Sequence, residues 1–265
     1  MFRPFPAFRL SVFANVVLLA AVLVFSLPCA AQKPDTTRVP SRFAASATIT
    51  NNGISLIPSF SLGKPAGIAD LSIGRRFSFE PQFRFALDGK PWSYIFWLRY
   101  KVVRSNRFTL NVGAHPAVIF RTITTNVGGV NTNVLSGQRY LAAEVVPNYY
   151  IRKNFSVGLY YLVSAGASES ATRATNFLTV NANISNIAIQ EGWYLRFNPQ
   201  LFYLRMDDRE GTYYSSSVTL STKKLPVSLQ SMFTGPFESN LIGGQNFLWN
   251  VSLIYAVSQN FVPVK

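Results

Sequence analysis

The sequence is poor in the residues that most enzymes use for cross-linking and catalysis. Its 265 residues include one cysteine and one histidine, and only 14% of them are charged. An ordinary soluble domain has about 25% charged residues. One cysteine excludes an internal disulfide framework and a multi-cysteine metal site. The 22 phenylalanines and 12 tyrosines exclude intrinsic disorder, because so much apolar surface must be buried or covered.

The sequence also lacks long hydrophobic runs, with one exception near its start. Residues 10–27 are largely apolar, two arginines precede them, and small residues follow up to Ala31. This arrangement predicts a signal peptide over residues 1–31, cleaved after Ala31. The alternatives are an uncleaved anchor, which the small residues disfavour, and a lipoprotein acylated at Cys29, which Pro28 disfavours. After Ala31 no apolar run approaches the roughly 18 residues of a membrane helix, so helical spans are excluded.

What the sequence does contain is strict alternation of apolar and polar residues. In residues 77–86, FSFEPQFRFA, aromatic side chains occupy the odd positions on both sides of Pro81, and polar ones occupy even positions. A period of two predicts a β-strand with one apolar face. The alternation recurs and predicts twelve strands, at residues 54–62, 67–74, 77–87, 92–103, 108–123, 138–151, 155–167, 175–189, 193–206, 211–223, 226–237 and 246–258.

Strand length and aromatic content distinguish these segments from those of a soluble sandwich. Several exceed the typical length of about 5–6 residues and reach the roughly 9–11 residues that cross a bilayer. Aromatic residues near their ends, such as Trp92, Tyr149, Trp193 and Tyr203, resemble an interfacial girdle. Because open strand edges are not tolerated in lipid, we predict an all-β fold, a transmembrane antiparallel up-and-down β-barrel of about twelve strands.

The lengths of the predicted connections alternate along the chain. Long connections fall at residues 124–137, 168–174, 207–210 and 238–245, and short ones fall at 152–154, 190–192 and 224–225. Outer-membrane barrels place long loops outside and short turns in the periplasm, so both termini are predicted to be periplasmic.

A thirteenth strand at residues 44–50 would place the start of the chain outside. We therefore assign residues 32–52 to a periplasmic N-terminal segment and residues 53–265 to the barrel.

These features carry a resemblance to a known group of proteins. The signal peptide, the stretch FSFEPQFRFALDGKPWSYIFWLRYKVV, the segment NVGAHPA and the twelve-strand layout resemble the small porin-like outer-membrane β-barrels of the Bacteroidota group. The resemblance implies an outer-membrane location and a barrel fold, and it says little about the transported solute. One departure concerns the end of the chain, where Phe261 is followed by VPVK instead of being the last residue.

Basic residues outnumber acidic ones by 25 to 11. Such an excess can indicate nucleic-acid binding, but here many basic residues lie at predicted turns, where they can contact lipid headgroups. We therefore expect outer-membrane lipids and lipopolysaccharide as partners, and no nucleic acid. The basic residues concerned are Arg75, Arg76, Arg104, Arg107, Arg152, Lys153, Lys223 and Lys224.

An enzymatic function finds little support. The one histidine, His115, lies in the polar phase of its strand and is expected to face the lumen. The sequence has no Gly-x-Ser-x-Gly motif, no histidine-rich metal spacing and no phosphate-binding glycine loop. We predict no enzymatic activity, no cofactor and no metal. A lipid-modifying outer-membrane enzyme is the least favoured alternative.

The predicted lumen is the remaining candidate site. Its pore-lining candidates are Asp70, Glu80, Arg84, Arg99, Lys101, His115, Glu144 and Arg196. They could line a narrow passive pore for small polar or anionic solutes, or they could brace a non-conducting structural or accessory barrel in a larger assembly. Twelve strands lie between packed eight-stranded barrels and open sixteen-stranded channels, so strand number does not decide between them. We favour the pore.

Overall fold

The computed structural model describes residues 41–127, 130–241 and 247–261. In them the chain forms a closed barrel of antiparallel strands, in which β1 pairs with both β2 and β12. The twelve strands are β1 (Ser41–Thr50), β2 (Ala66–Gly74), β3 (Phe77–Ala86), β4 (Pro91–Arg104), β5 (Phe108–Val127), β6 (Val130–Arg152), β7 (Phe155–Gly166), β8 (Ala174–Gln190), β9 (Trp193–Met206), β10 (Arg209–Thr222), β11 (Val227–Ser239) and β12 (Leu248–Phe261). The predicted antiparallel up-and-down barrel of twelve strands is confirmed.

One short helix accompanies the strands, the 3-10 turn Pro58–Phe60 between β1 and β2. Within the described ranges, no helix is long and apolar enough to cross a membrane. The predicted signal peptide at residues 1–31 lies outside the described residues, as do the last four residues of the chain.

Alternation along the strands separates an apolar exterior from a mixed interior. On β3, Phe77, Phe79 and Phe85 are exposed, whereas Ser78 between them is buried. The same exposure of large apolar side chains continues around the barrel, for example at Leu201 on β9. A sheet closed on itself leaves no unpaired edge, so each strand satisfies its backbone groups through its two neighbours.

The first predicted strand is wrong, and its place is taken by the preceding segment. Residues 54–62 form part of a long connection that includes the 3-10 helix, and residues 44–50 belong to β1. The barrel therefore begins within the range assigned to a periplasmic segment. Ile57 and Phe60 in this segment pack into the apolar core of the lumen instead of joining the ladder. β1 forms because β2 and β12 both need a partner to close the barrel.

The longest predicted loop is also mostly strand. β5 continues to Val127 and β6 starts at Val130, so the expected loop at residues 124–137 is a paired hairpin. Residues 124–127, TTNV, include three β-branched residues, which favour a strand. The ladder therefore extends until the chain must reverse.

The two ends of the barrel differ in their connections. At one end, called the turn end, β1 begins, β12 ends and the connections are 75–76, 105–107, 153–154, 191–192 and 223–226. The opposite end, called the loop end, carries the 51–65 connection between β1 and β2, called the inner loop. The basic residues that the sequence placed at turns all lie at or beside the turn end.

Candidate functional site in the barrel lumen

Three charged side chains form an ion triad inside the barrel. Arg99 on β4 contacts Glu80 on β3 through Nη1 and Oε2 at 2.5 Å, and Glu144 on β6 through Nε and Oε1 at 2.6 Å. The Glu144 side chain is 1% exposed. Each carboxylate thus has the cationic partner that a buried charge requires, and the triad as a whole keeps one net negative charge.

The triad depends on Gly113, which sequence reasoning did not single out. Gly113 on β5 pairs with Arg99 on one side and with Glu144 on the other. A Cβ atom at Gly113 would lie 2.9 Å from Glu144 Oε1 and 3.0 Å from Arg99 Cγ. The missing side chain therefore lets Arg99 reach across β5. In the sequence, Gly113 falls between Asn111 and His115 in the polar phase of its strand, and its neighbours on β4 and β6 follow only from the register.

The inner loop enters the lumen and contacts two separate parts of the wall. Arg121 on β5 donates through Nη2 to the Ser59 carbonyl at 2.6 Å. The Ser59 hydroxyl donates to the sulfur of Met206 on β9 at 3.1 Å. Three strands, β6, β7 and β8, lie between β5 and β9 in the barrel wall. The inner loop therefore bridges the lumen between two distant parts of the wall.

Phe60 is the aromatic residue of the inner loop, and it is buried. Its ring lies 5.4 Å from that of Tyr140 and 5.1 Å from the Arg121 guanidinium. Its carbonyl accepts a hydrogen bond from Trp92 Nε1 at 2.9 Å. These contacts hold Phe60 against the β4, β5 and β6 wall.

Trp92 corrects an expectation from the alternation. The sequence placed it on the outer face as part of an aromatic girdle, but its side chain is 2% exposed. Arg84 pairs with Ser93 while Phe85 pairs with Pro91, so Trp92 is an extra residue in the β4 ladder. Such a bulge breaks the alternation and turns the side chain towards the inner loop.

Around the inner loop, the wall is apolar and closely packed. Phe177 and Leu204 have no exposed surface, and Phe202 stacks on Tyr213 with ring centroids 5.0 Å apart. This cluster continues through residues Trp97, Ala117, Ile119, Tyr140, Ala142, Leu162, Ala171 and Met206. It forms an apolar layer that fills the lumen towards the loop end.

Below this layer lies a cavity of about 610 Å³. It is lined by five of the predicted residues: Asp70, Glu80, Arg84, Arg99 and His115. Inner-loop residues, among them Ile57 and Phe60, line it as well, and so does Arg42 near the start of β1. The cavity therefore extends from the turn end to the underside of the inner loop.

Within the cavity lining, Asp70 accepts hydrogen bonds from Gln82 and from Ser46. Lys101 and Arg196 do not line the cavity and occupy different surroundings. Lys101 donates to the Arg75 carbonyl at 2.8 Å, so it is drawn towards the turn end. Arg196 is exposed and pairs in register with Thr219 on β10, away from the triad. A pore-lining role for any of these residues stays a prediction.

His115 has surroundings unlike those of a catalytic base. Its ring packs against Trp97 with centroids 3.9 Å apart, and its Nδ1 atom is buried without a partner. Among the described residues, no hydrogen bond joins it to a serine hydroxyl. In the same part of the chain, no group of three or more His, Cys, Asp and Glu is arranged to hold a metal ion. The absence of enzymatic activity stays a prediction.

The chain is similar to several solved barrels at low sequence identity. A KdgM porin in complex with disordered oligogalacturonate is 12% identical with a TM-score of 0.45, and the match covers 81% of this chain and 98% of that one. The NanC porin is 9% identical with a TM-score of 0.45, covering 80% and 97%. A loop L8 deletion mutant of OmpT, an outer membrane protein of Vibrio cholerae, is 8% identical with a TM-score of 0.42, covering 82% and 98%.

No protein-family model matches the sequence, and no curated protein matches it. The resemblance to the Bacteroidota group therefore stays a prediction.

Proposed function

We propose that this protein is an outer-membrane β-barrel that forms a narrow passive pore for small polar or anionic solutes, closed at rest by the inner loop. The apolar exterior of the barrel is the observation that supports a membrane location. Side chains such as Leu141, Val180 and Leu253 are more than half exposed on the outer faces of their strands. The largest contiguous apolar patch on a water-soluble monomer is typically about 300–600 Å². A larger apolar surface is favourable where lipid, and not water, surrounds it.

Strand length and charge support the same location. Most strands have 12 to 14 residues or more, which exceeds the roughly 9–11 residues that a tilted strand needs to cross a bilayer. Basic residues such as Arg76 and Lys223 ring the turn end, where they can contact headgroups. With short turns in the periplasm, the loop end faces outward.

The pore part of the proposal is supported by the polar interior beyond the apolar layer. Arg196 is exposed and Asn198 and Gln200 are half-buried on the inner face of β9. Exposed polar side chains inside a barrel are solvated by water, and water in the lumen is what conduction needs. The inner loop interrupts this path, so passage requires its displacement.

A second candidate, a non-conducting structural or accessory barrel, is favoured by the apolar layer. Phe177, Leu204 and Tyr213 are buried on inward positions and pack as residues of a protein core do. A permanently filled lumen would brace the barrel without conducting.

The two candidates are separated by bilayer recordings of wild-type protein and a variant with residues 54–62 replaced by a Gly-Ser linker. We expect rare small conductance steps from the wild type, and frequent steps with modest anion preference from the variant. Both proteins must show the heat-dependent gel mobility of a closed barrel. If both fold and neither conducts, the pore is excluded and the accessory barrel is favoured. Recovery of the native protein as a soluble periplasmic species would instead exclude the membrane location.

A further inference from the structure

The cavity beneath the inner loop contains polar atoms that the protein itself leaves without partners. We propose that it binds a small organic anion with an apolar body, such as an aromatic carboxylate, with the anionic group at Arg84 and Ser93. A cavity of about 610 Å³ lies within the roughly 300–1,000 Å³ range of small-molecule sites. This proposal goes beyond the proposed pore and needs only the folded barrel.

Arg84 is the cation that the site offers to an anion, because Arg42, which also lines the cavity, is exposed. Among the described residues it makes no hydrogen bond and no contact ion pair, and its Nε atom is buried without a partner. Its guanidinium stacks 5.0 Å from the centre of the Trp92 ring, which holds it in place. The Asp70 carboxylate lies near Arg84 and attracts it electrostatically, but Asp70 accepts its hydrogen bonds from Gln82 and Ser46. A half-buried guanidinium whose Nε atom lacks an acceptor favours a ligand that supplies acceptors.

Ser93 provides a second donor next to Arg84. The two residues pair directly across β3 and β4, so their inward side chains are neighbours. The Ser93 hydroxyl oxygen is buried without a partner in a residue that is 3% exposed. A guanidinium and a hydroxyl side by side suit a carboxylate, which accepts through both oxygens.

Arg99 does not compete for the same anion. It lines the cavity, but Glu80 and Glu144 already contact its guanidinium. The net negative charge of the triad therefore repels an anionic ligand. The anionic group of the ligand is directed to Arg84 instead.

The rest of the lining is suited to an apolar body. Ile95, Ile119 and Leu162 contribute aliphatic surface, and the Phe60 ring closes the cavity beneath the inner loop. Polar side chains such as Ser72, Gln82 and Ser164 line the cavity as well. The Arg84 guanidinium together with this partly apolar wall favours an anion that also has an apolar body.

The test uses 1-naphthoate as the probe and 1-naphthalenemethanol as its uncharged counterpart, titrated calorimetrically into the refolded barrel in a zwitterionic detergent. Titration into detergent alone is subtracted. We expect saturable binding of one naphthoate and binding of the alcohol weaker by about tenfold or more, because the alcohol offers no charge to Arg84. Alcohol binding as tight as naphthoate binding would overturn the anion assignment, and no saturable binding by folded barrel would overturn the site.

Variants locate the binding. Arg84→Gln is expected to weaken naphthoate binding about tenfold or more, and Ser93→Ala by a smaller factor. Arg139→Gln makes the same charge change on an exposed residue outside the cavity lining and is expected to leave binding unchanged. Equal weakening by Arg84→Gln and Arg139→Gln would overturn the proposal.

If Arg84→Gln fails the gel-mobility test for folding, Ala117→Leu offers a second variant, since Ala117 lines the cavity and a larger side chain would occupy it. Retention of wild-type affinity in folded Ala117→Leu would exclude this cavity as the binding site. These outcomes are independent of membrane location and of conductance.

Discussion

Arg99 and Glu144 form a contact of 2.6 Å although their strands, β4 and β6, are separated by β5. The absence of a side chain at Gly113 leaves the space in which they meet. The ion pair links β4 to β6 across β5, in addition to the backbone ladders, and the contact between Arg99 and Glu80 extends this link to β3. The triad braces the wall of the lumen on the side where the cavity lies.

Gly113→Ala tests this bracing. The added methyl group would lie 2.9 Å from Glu144 Oε1, so the ion pair must shift. We expect a loss of about 1–3 kcal/mol in the free energy of unfolding, measured by urea titration in lipid vesicles with circular dichroism. Gly67→Ala is the control, because its new Cβ meets nothing closer than 3.8 Å. Equal effects of the two substitutions would contradict the role of Gly113.

Arg99→Gln should be more costly than the same change at Arg196. Without Arg99, the buried Glu144 carboxylate loses its ion-pair partner and Glu80 loses one of its cationic neighbours, at a cost of about 3–5 kcal/mol in unfolding free energy. Arg196 is exposed, so its substitution should change stability by less than about 0.5 kcal/mol. The same urea titration measures both variants. A stable Arg99→Gln barrel would show that the carboxylates are neutralised in another way.

Arg121→Gln should loosen the inner loop. It removes the donor to the Ser59 carbonyl and the cation beside the Phe60 ring. Hydrogen exchange of backbone amides in residues 51–65 is expected to become faster, while exchange in β5 and β6 changes little. Arg139→Gln, an exposed change on β6, serves as the control. Unaltered exchange in the inner loop would mean that the apolar contacts alone hold it.

Trp92→Phe removes one hydrogen bond and part of a buried ring. The indole donates to the Phe60 carbonyl at 2.9 Å, and phenylalanine keeps one aromatic ring but not the donor. We expect a loss of about 2 kcal/mol or more in unfolding free energy, because a buried carbonyl loses its partner and the smaller ring leaves space unfilled. Trp193→Phe, on a residue that is 43% exposed, should have a much smaller effect. Comparable losses would argue against the buried bond.

Surface probes on intact cells test the orientation. An epitope inserted near Thr125 in the β5–β6 hairpin should be reached by antibody from outside, because the hairpin lies at the loop end. An epitope at Lys153, in a short turn at the opposite end, should be reached only after the outer membrane is permeabilised. The reverse pattern of accessibility would invert the assignment of the two ends.

Much of the barrel could be predicted because alternation is a local property. Phe79 and Glu80 point to opposite sides of β3 whatever the rest of the chain does, since successive side chains of a strand point to opposite faces. The same reasoning correctly placed Arg99 and Glu144 on inward faces. It could not show that they touch, because their contact crosses an intervening strand and depends on Gly113.

The sequence by itself determined the strand period, the apolar exterior and the concentration of basic residues at one set of turns. Only the tertiary structure decided that β1 closes the barrel and that the inner loop occupies the lumen. Both outcomes follow from closure of the barrel. β2 and β12 each need a neighbouring strand, and β1 supplies it. Ile57 and Phe60 can bury their side chains inside the barrel without belonging to a strand. Alternation cannot report either outcome, because a side chain buried within a lumen and one facing lipid are equally apolar in the sequence.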